Sequence, residues 1–210
     1  MNARLKQIIA RISFYIGVAM FALFCGFPMI WMLLTSIKPD RDILTATPVF
    51  WSWNVHLDHY RNLFDQTDFL IYFVNSITVA ASATSLTIVI ATLAAYGITR
   101  FRFTGREYIA GGMLFTYMFA PILIVVPFYI LMKNYGLINT KLGLVLAYTT
   151  FSLPFSMWLL RSFFQSIPLD LEEAAMTDGA SRPQAVIRVI VPLAFPGVIA
   201  VSIFTFIVAW

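Results

Sequence analysis

The residues of this sequence that could do chemistry are few, and most lie between residues 166 and 184, which read SIPLDLEEAAMTDGASRPQ. The acidic pair there, Glu172 and Glu173, could serve as a general acid and base, but helix capping accounts for both more simply. Asp170 can cap a helix, with Glu173 three residues later completing the pair. Glu172 falls in the first turn, where the helix dipole favours negative charge. No Ser, His and Asp set elsewhere is arranged for nucleophilic catalysis, so we predict no catalytic residue.

The same stretch predicts two short helices joined by a turn. Ala174 and Ala175 are strong helix formers, and Gly179 can end the first helix in a left-handed conformation. Ser181 and Gln184 then repeat the cap pattern at the start of a second helix. A well-capped loop would explain these residues without any function. A stiff helix with a surface of small residues is also suited to enter a cleft on a partner protein.

A possible metal site is suggested by His56, Asp58 and His59, which lie close together in the sequence. A zinc site usually needs a fourth ligand in fixed geometry, and the single cysteine, Cys25, lies inside a long apolar run. We therefore predict exposed or capping roles for these residues and no metal site.

Long apolar runs must position all of these groups. Hydrophobic residues make up 60% of the chain and charged residues 11%, whereas a soluble domain carries about a quarter charged residues. Runs of about 20 apolar residues cross a bilayer as helices, because lipid offers no partner for backbone groups. The sequence therefore predicts an all-α, polytopic transmembrane helical bundle with five spans, at residues 12–37, 69–99, 108–132, 142–160 and 189–210, the last helix starting at Pro192.

The orientation of the bundle follows from the basic residues in its connections. Nine Lys and Arg residues lie in the N-terminal segment and in the connections after spans two and four, against five in the opposite connections. This bias predicts a cytoplasmic N-terminus and an exterior loop at residues 38–68, with Trp51 and Trp53 at the membrane interface. The basic residues form no stripe interleaved with aromatics, so the net charge of +4 does not indicate nucleic-acid binding.

The spans supply polar and small residues but no charge. Asn75, Tyr117, Tyr148, Thr149 and Thr150 could line a path for a sugar or serve as interhelical contacts. Prolines inside the spans predict kinks, at Pro28, Pro121, Pro127 and Pro154, and small residues such as Gly111 and Gly112 would let helices approach closely. Because no Asp, Glu, Lys, Arg or His lies within a span, uphill transport would draw its energy from outside the membrane.

The segment Glu173-Ala174-Ala175, followed after three residues by Gly179-Ala180, resembles the EAA motif of binding-protein-dependent ABC importer permeases. Asp178 before Gly179 is also similar to that family's pattern. Val189 and Val191-Pro192 stand where the family continues with an aliphatic residue and Leu-Pro. The match falls after an apolar span on the predicted cytoplasmic side.

Shorter segments are similar to the maltose-type carbohydrate branch of that family, in the same order along the chain. They are residues 54–64, Asn75-Ser76, Ala95-Tyr96-Gly97 before Arg100-Phe101, Pro121 to Pro127, and residues 136–140. The resemblance implies one of two permease subunits in a bacterial inner-membrane complex, with an external solute-binding protein delivering a sugar. It also implies that two ATPase subunits bind ATP, since this chain has no phosphate-binding Gly-x-x-x-x-Gly-Lys-Ser/Thr motif and no cofactor of its own.

By the same resemblance, the residues that dock on an ATPase subunit are those of a coupling helix, namely Glu172, Glu173, Ala174, Ala175, Asp178, Gly179 and Ala180. The predicted domains are residues 1–68, a span with an exterior loop, and residues 69–210, a permease core with its coupling segment at 164–188. The family has a sixth span, so we expect the natural sequence to continue beyond Trp210. The alternatives are a secondary transporter working without ATPase subunits and a structural membrane subunit.

Overall fold

The computed structural model describes residues 3–45, 49–118 and 121–210, and every regular element in them is helical. This confirms the predicted all-α class. The chain divides into two compact units, an N-terminal unit, Met1–Leu70, and a core unit, Ile71–Trp210. In order, the helices are α1 Ala3–Ser36, α2 Asp40–Ile43, α3 Asp58–Gln66, α4 Phe69–Arg100, α5 Arg106–Met118, α6 Pro121–Asn134, α7 Lys141–Ser166, α8 Leu169–Thr177, α9 Arg182–Ala185, a π-helix Val186–Ile190, α10 Val191–Leu193 and α11 Phe195–Ala209.

Three of the predicted spans are single helices long and apolar enough to cross a bilayer: Gln7–Ser36 within α1, α4 and α7. The predicted span at 108–132 lies partly outside the described residues. The described residues there are helical, in α5 with 13 residues and α6 with 14, and residues 119 and 120 lie outside the described part. The prediction of one span at 108–132 therefore stays a prediction.

The last predicted span is not one helix starting at Pro192. The segment Arg182–Leu193 and helix α11 meet at a bend of 74°, and together they pass as one broken span. Pro192 follows a π-helical turn in which the N–H of Val191 donates to Val186 O, and Pro196 lies in the first turn of α11. Each proline lacks an N–H and its ring clashes with the carbonyl four residues earlier, so the helix breaks at Ala194.

The N-terminal unit folds the segment after α1 back onto the end of that helix. The side chain of Lys38 is 3% exposed; its ammonium donates to Val49 O and lies 4.3 Å from the centroid of the Trp31 ring. His59 Nε2 lies 2.9 Å from Lys38 O, and the Tyr60 hydroxyl donates to Ser36 Oγ at 2.8 Å. These contacts hold the loop that follows α1.

The core unit has two apolar clusters joined by α4, α7 and α11. The larger cluster includes Ala91, Met157 and Val201, and the smaller one includes Ala80 and Ala209. Along all three helices the buried hydroxyl residues fall between the clusters: Thr84 and Thr87 on α4, Thr149, Ser152 and Ser156 on α7, and Thr205 on α11. The bundle therefore has a polar layer at mid-height, in which Ser156 Oγ lies 3.4 Å from Thr205 Oγ1.

Close helix approach occurs at a glycine other than those predicted. A Cβ on Gly111 or Gly112 would meet no atom within 4 Å, whereas one on Gly197 would lie 2.5 Å from Phe163 ring atoms. Gly197 is on α11 and Phe163 on α7, so this contact brings those two helices together. Of the predicted kink positions, Pro28, Pro127 and Pro154 lie inside helices, while Pro121 begins α6.

Candidate functional site

The predicted turn at Gly179 is confirmed. Gly179 has a φ of +94°, the left-handed region in which a side chain is strained. The N–H of Ala180 donates to Ala175 O at 3.0 Å, and the N–H of Gly179 donates to Met176 O at 3.1 Å. This pair of bonds is the Schellman motif, so the end of α8 is fixed by its own backbone.

The second short helix also begins as predicted. Ser181 is the N-cap of α9, and its N–H donates to Gln184 Oε1 at 2.8 Å. The side chain of Gln184 thus satisfies a backbone donor that would otherwise be unpaired at a helix start.

The predicted cap at Asp170 is wrong. Helix α8 begins at Leu169, its N-cap is Pro168 with φ −57° and ψ 139°, and no side chain caps it. Proline's fixed φ suits a helix start, so the helix begins two residues earlier and Asp170 falls within its first turn. Asp170 remains near the positive end of the helix dipole.

The predicted docking residues divide into one buried side chain and six that reach the surface of the chain. Glu173, Ala174, Asp178 and Gly179 are exposed, and Ala175 and Ala180 are half-buried. Glu172 is fully buried. The exposed residues of α8 and its turn thus combine the small Ala174 and Gly179 with three charges and three other residues: Asp170, Glu173 and Asp178, and Leu169, Leu171 and Thr177.

The carboxylate of Glu172 lies among groups from other helices. The hydroxyl of Tyr96, on α4, donates to Glu172 Oε1 at 2.5 Å. Arg100 Nε lies 3.2 Å from Oε2, and Arg182 Nη1 lies 3.7 Å from Oε1. Arg100 Nη2 also donates to Ile167 O at 3.0 Å, just before α8. The last turn of α4 thus holds both α8 and the segment leading into it.

Aromatic rings enclose this carboxylate cluster. Tyr96 meets Phe101 and Phe164 edge to face, with ring centroids 5.8 Å and 6.4 Å apart, and the guanidinium of Arg182 lies 5.5 Å from the Phe101 ring centroid. Nothing in the local sequence distinguishes Glu172 from Glu173. The one signal in the sequence was Arg100, in Arg100-Phe101. A basic group at the end of α4 needs an acidic partner.

A second ion pair lies near the same end of the core unit. Arg161 Nη2, on α7, lies 2.6 Å from Glu107 Oε2, at the start of α5. The hydrogen bond from Arg161 lowers the pKa of the Glu107 carboxyl from its ordinary value. The carboxylate is largely exposed, so water screens much of this attraction.

At the opposite end of α4 and α7 the core unit has a cavity of about 480 Å³. Two of the five predicted path residues, Asn75 and Tyr148, line it together. Its other lining residues are Ser76, Val79, Asn139, Thr140, Lys141, Leu144, Ala209 and Trp210. Amide, hydroxyl and aromatic groups therefore face a shared space large enough for a small ligand.

The remaining predicted path residues lie elsewhere. The Tyr117 ring packs on Phe155, with centroids 5.2 Å apart, and Thr150 donates to Leu146 O within its own helix. Thr149 is buried in the polar layer, and its hydroxyl has no hydrogen-bond partner among the described residues.

The histidine segment is tied into the N-terminal unit. His59 Nε2 lies 3.5 Å from Asp40 Oδ1 as well as contacting Lys38 O, and His56 Nδ1 lies 3.3 Å from Asn54 O. Within the described residues, no group of three or more His, Cys, Asp and Glu could hold a metal ion.

Comparison with known proteins identifies a family that the chain matches. Residues 87–210 match the family described as "Binding-protein-dependent transport system inner membrane component". The chain is 36% identical to the inner membrane ABC transporter permease protein YcjP of Escherichia coli, over 98% of this chain and 74% of that protein. It is 36% identical to the trehalose/maltose transport system permease protein MalG of Thermococcus litoralis, over 98% of this chain and 74% of that protein.

Two further comparisons concern another relative and the fold. The chain is 39% identical to the diacetylchitobiose uptake system permease protein NgcG of Streptomyces coelicolor, over 87% of this chain and 60% of that protein. The chain thus spans between 60% and 74% of the length of these relatives. A bacterial ABC transporter involved in the import of alginate, an acidic polysaccharide, has a chain that matches with a TM-score of 0.82. That match covers 100% of this chain and 73% of the other at 24% identity, and it bears on the fold alone.

Proposed function

Because the chain belongs to the family of binding-protein-dependent transport system inner membrane components, we propose that it is a permease subunit of an ATP-driven importer. The observation that carries this proposal is helix α8 with its Schellman turn, a stiff element that exposes the small residues Ala174 and Gly179. Small side chains let a helix enter a groove closely, and a stiff helix can transmit displacement. ATP is bound and hydrolysed by partner subunits in this proposal.

The transported solute is a carbohydrate. Two of the relatives are named for trehalose and maltose and for diacetylchitobiose. The cavity at the far end of α4 offers the groups that sugars bind, including the Asn75 amide and the Tyr148 and Trp210 rings. An external solute-binding protein delivers the sugar, and a second permease subunit completes the path.

Membership of this family makes the chain an inner-membrane protein. We infer that its N-terminus is cytoplasmic, as the Lys and Arg bias predicts. The ATPase subunits then meet α8 on the cytoplasmic side, through Glu173, Ala174, Ala175, Asp178, Gly179 and Ala180. Glu172 is left out of this docking surface because its side chain is buried.

The test replaces an exposed alanine of α8 with a bulky residue. Ala174→Trp should prevent co-purification of the ATPase subunits expressed with the chain and abolish uptake of labelled trehalose, maltose and diacetylchitobiose. Ala81→Trp, a matched change at an exposed alanine of α4, should leave co-purification unchanged. Normal retention of the ATPase subunits by Ala174→Trp would contradict the docking assignment.

The energy source separates this function from a secondary transporter. Uptake into proteoliposomes should require internal ATP and stop when the ATPase subunits carry an inactivating substitution. It should continue after an ionophore collapses the ion gradients. Uptake that follows the gradient and ignores ATP would favour the secondary transporter, and absence of uptake with every sugar in a fully assembled complex would favour a structural subunit.

A further inference from the structure

Glu172 differs from the other predicted docking residues in its burial and in its contacts. Its carboxylate is 0% exposed in the chain, so a partner protein has no access to it. Burying a carboxylate is costly unless it is paired and hydrogen-bonded. The cost is offset here by Tyr96 and Arg100, both on the last turns of α4.

The two nearest partners of Glu172, Tyr96 and Arg100, come from α4, which continues to the cavity. Helix α4 has 32 residues and is therefore about 48 Å long. Its C-terminal end, at Tyr96 and Arg100, holds α8, and Asn75, near its N-terminal end, lines the cavity. Between these ends its buried face packs in both apolar clusters. A displacement of α4 at one end therefore reaches the other.

The contact between Glu172 and α4 combines a directional hydrogen bond with an attraction between charges. The Tyr96 hydroxyl fixes one carboxylate oxygen by a short hydrogen bond, and a bond to a charged acceptor is stronger than a neutral one. The contact of Arg100 Nε with the second oxygen is an attraction of charges at 3.2 Å, since neither atom has a hydrogen-bond partner among the described residues. Arg100 is itself held by Ile167 O.

We propose that Glu172 is a positioning residue that locks α8 to α4, so that the helix displaced by the ATPase and the helix lining the cavity move as one body. The lock consists of Glu172, Tyr96 and Arg100, with Arg182 as an outer charge. The transport consequence of the lock rests on the proposed function. The lock itself is a property of this chain and can be tested without any partner.

The first test measures the position of α8 relative to α4 in the full chain, reconstituted in lipid nanodiscs. Spin labels are placed on Thr177→Cys of α8 and Ser82→Cys of α4, both exposed positions, in a Cys25→Ser background. The native lock should give one narrow distance distribution. Glu172→Gln, which keeps the shape and removes the charge, should broaden it. An equally narrow distribution in Glu172→Gln would overturn the lock.

Two further variants guard against a simple loss of folding. Tyr96→Phe removes one hydrogen bond while keeping the ring against Phe101 and Phe164, and it should broaden the distribution as well. Glu173→Gln makes the same chemical change at the exposed neighbour and should leave the distribution narrow. If Glu173→Gln broadens the distribution as much as Glu172→Gln does, the effect belongs to α8 in general and the lock is refuted.

The second test uses the complex with its ATPase subunits and compares transport with ATP hydrolysis. Glu172→Gln should retain the ATPase subunits but lower the sugar transported per ATP by about tenfold, because Arg100 loses the charge of its buried partner. Glu173→Gln should instead weaken retention of the ATPase subunits, because Glu173 belongs to the docking surface. Loss of retention in Glu172→Gln with an unchanged ratio would return Glu172 to the docking surface. Failure of the native chain to retain ATPase subunits would refute the proposed function while leaving the spin-label result intact.

Discussion

Glu172 and Glu173 are adjacent residues with the same side chain and opposite surroundings. Successive residues of a helix point in directions about 100° apart, so one of the pair can face the protein while the other faces solvent. Which one turns inward is decided by Tyr96 and Arg100, which come much earlier in the chain. The local sequence predicts two acids at the start of a helix, but only the tertiary structure separates their roles.

The left-handed conformation of Gly179, by contrast, was predictable from the neighbouring residues, and it leads to a testable prediction. Gly179→Val should strain the backbone by about 1–2 kcal/mol, because a residue with a side chain is disfavoured at a φ of +94°. The Schellman bonds of Gly179 and Ala180 should then open more often. Amide exchange of the peptide covering residues 174–184 should become roughly tenfold faster. Gly179→Asn, which tolerates this conformation, should change it little, and equal exchange in the valine variant would contradict the strain.

The second residue-scale prediction concerns the contact of Gly197 with Phe163. Gly197→Ala places a methyl group 2.5 Å from the ring, so α7 and α11 must separate or the ring must move. Overpacking of this kind costs about 1–3 kcal/mol, and the thermal unfolding midpoint in detergent should fall. Gly112→Ala meets no atom within 4 Å and should leave the midpoint unchanged or raise it, since alanine favours helix. A midpoint for Gly197→Ala equal to that of the control would show that the helices are not in contact there.

At the scale of elements, prolines explain why the prediction of the last span was wrong. The apolar run at 189–210 predicts one helix by composition, yet it contains two prolines four residues apart. In a continuous helix the N–H of residue 196 would donate to the carbonyl of Pro192, and proline has no N–H. The break at Ala194 could therefore have been predicted from that spacing.

The break gives a prediction of its own. Pro196→Ala restores the missing donor and removes the ring clash, so the 74° bend should decrease. Spin labels at the exposed positions Ile187 and Ile207 should move apart toward roughly 30 Å, the length of 20 residues of straight helix. Pro192→Ala leaves Pro196 in place and should keep the shorter distance. An unchanged distance in Pro196→Ala would mean that packing, rather than proline, sets the bend.

At the scale of the whole molecule, the core unit separates its charges from its cavity. Arg100, Arg161 and Arg182 all pair with acids near one end of α4 and α7, and Asn75 and Tyr148 line the cavity near the other. The Lys and Arg bias predicted that the connections near one end of the core unit are basic, but the sequence made no prediction of a cavity at the other end. It could not predict which polar residues share the cavity, because Tyr117, Thr149 and Thr150 lie on similar helices but face other neighbours.

The orientation of this arrangement in the membrane is the last prediction. Positively charged connections stay in the cytoplasm, so the end of the core unit with Arg100 and Arg182 should face inward. Helix α7 has 26 residues and is therefore about 39 Å long, enough to place its two ends on opposite sides of the bilayer. Tyr135, just beyond α6, is exposed and belongs to a connection predicted to lie outside.

The measurement uses single cysteines in a Cys25→Ser background and a membrane-impermeant maleimide. Tyr135→Cys should be labelled in right-side-out spheroplasts, and Ser181→Cys only after the membrane is permeabilised. Denatured samples should label equally at both positions, which controls for reactivity. Labelling of Ser181→Cys from outside would reverse the orientation. It would also place α8 on the side where no ATP is available, so the proposed docking of the ATPase subunits would fail with it.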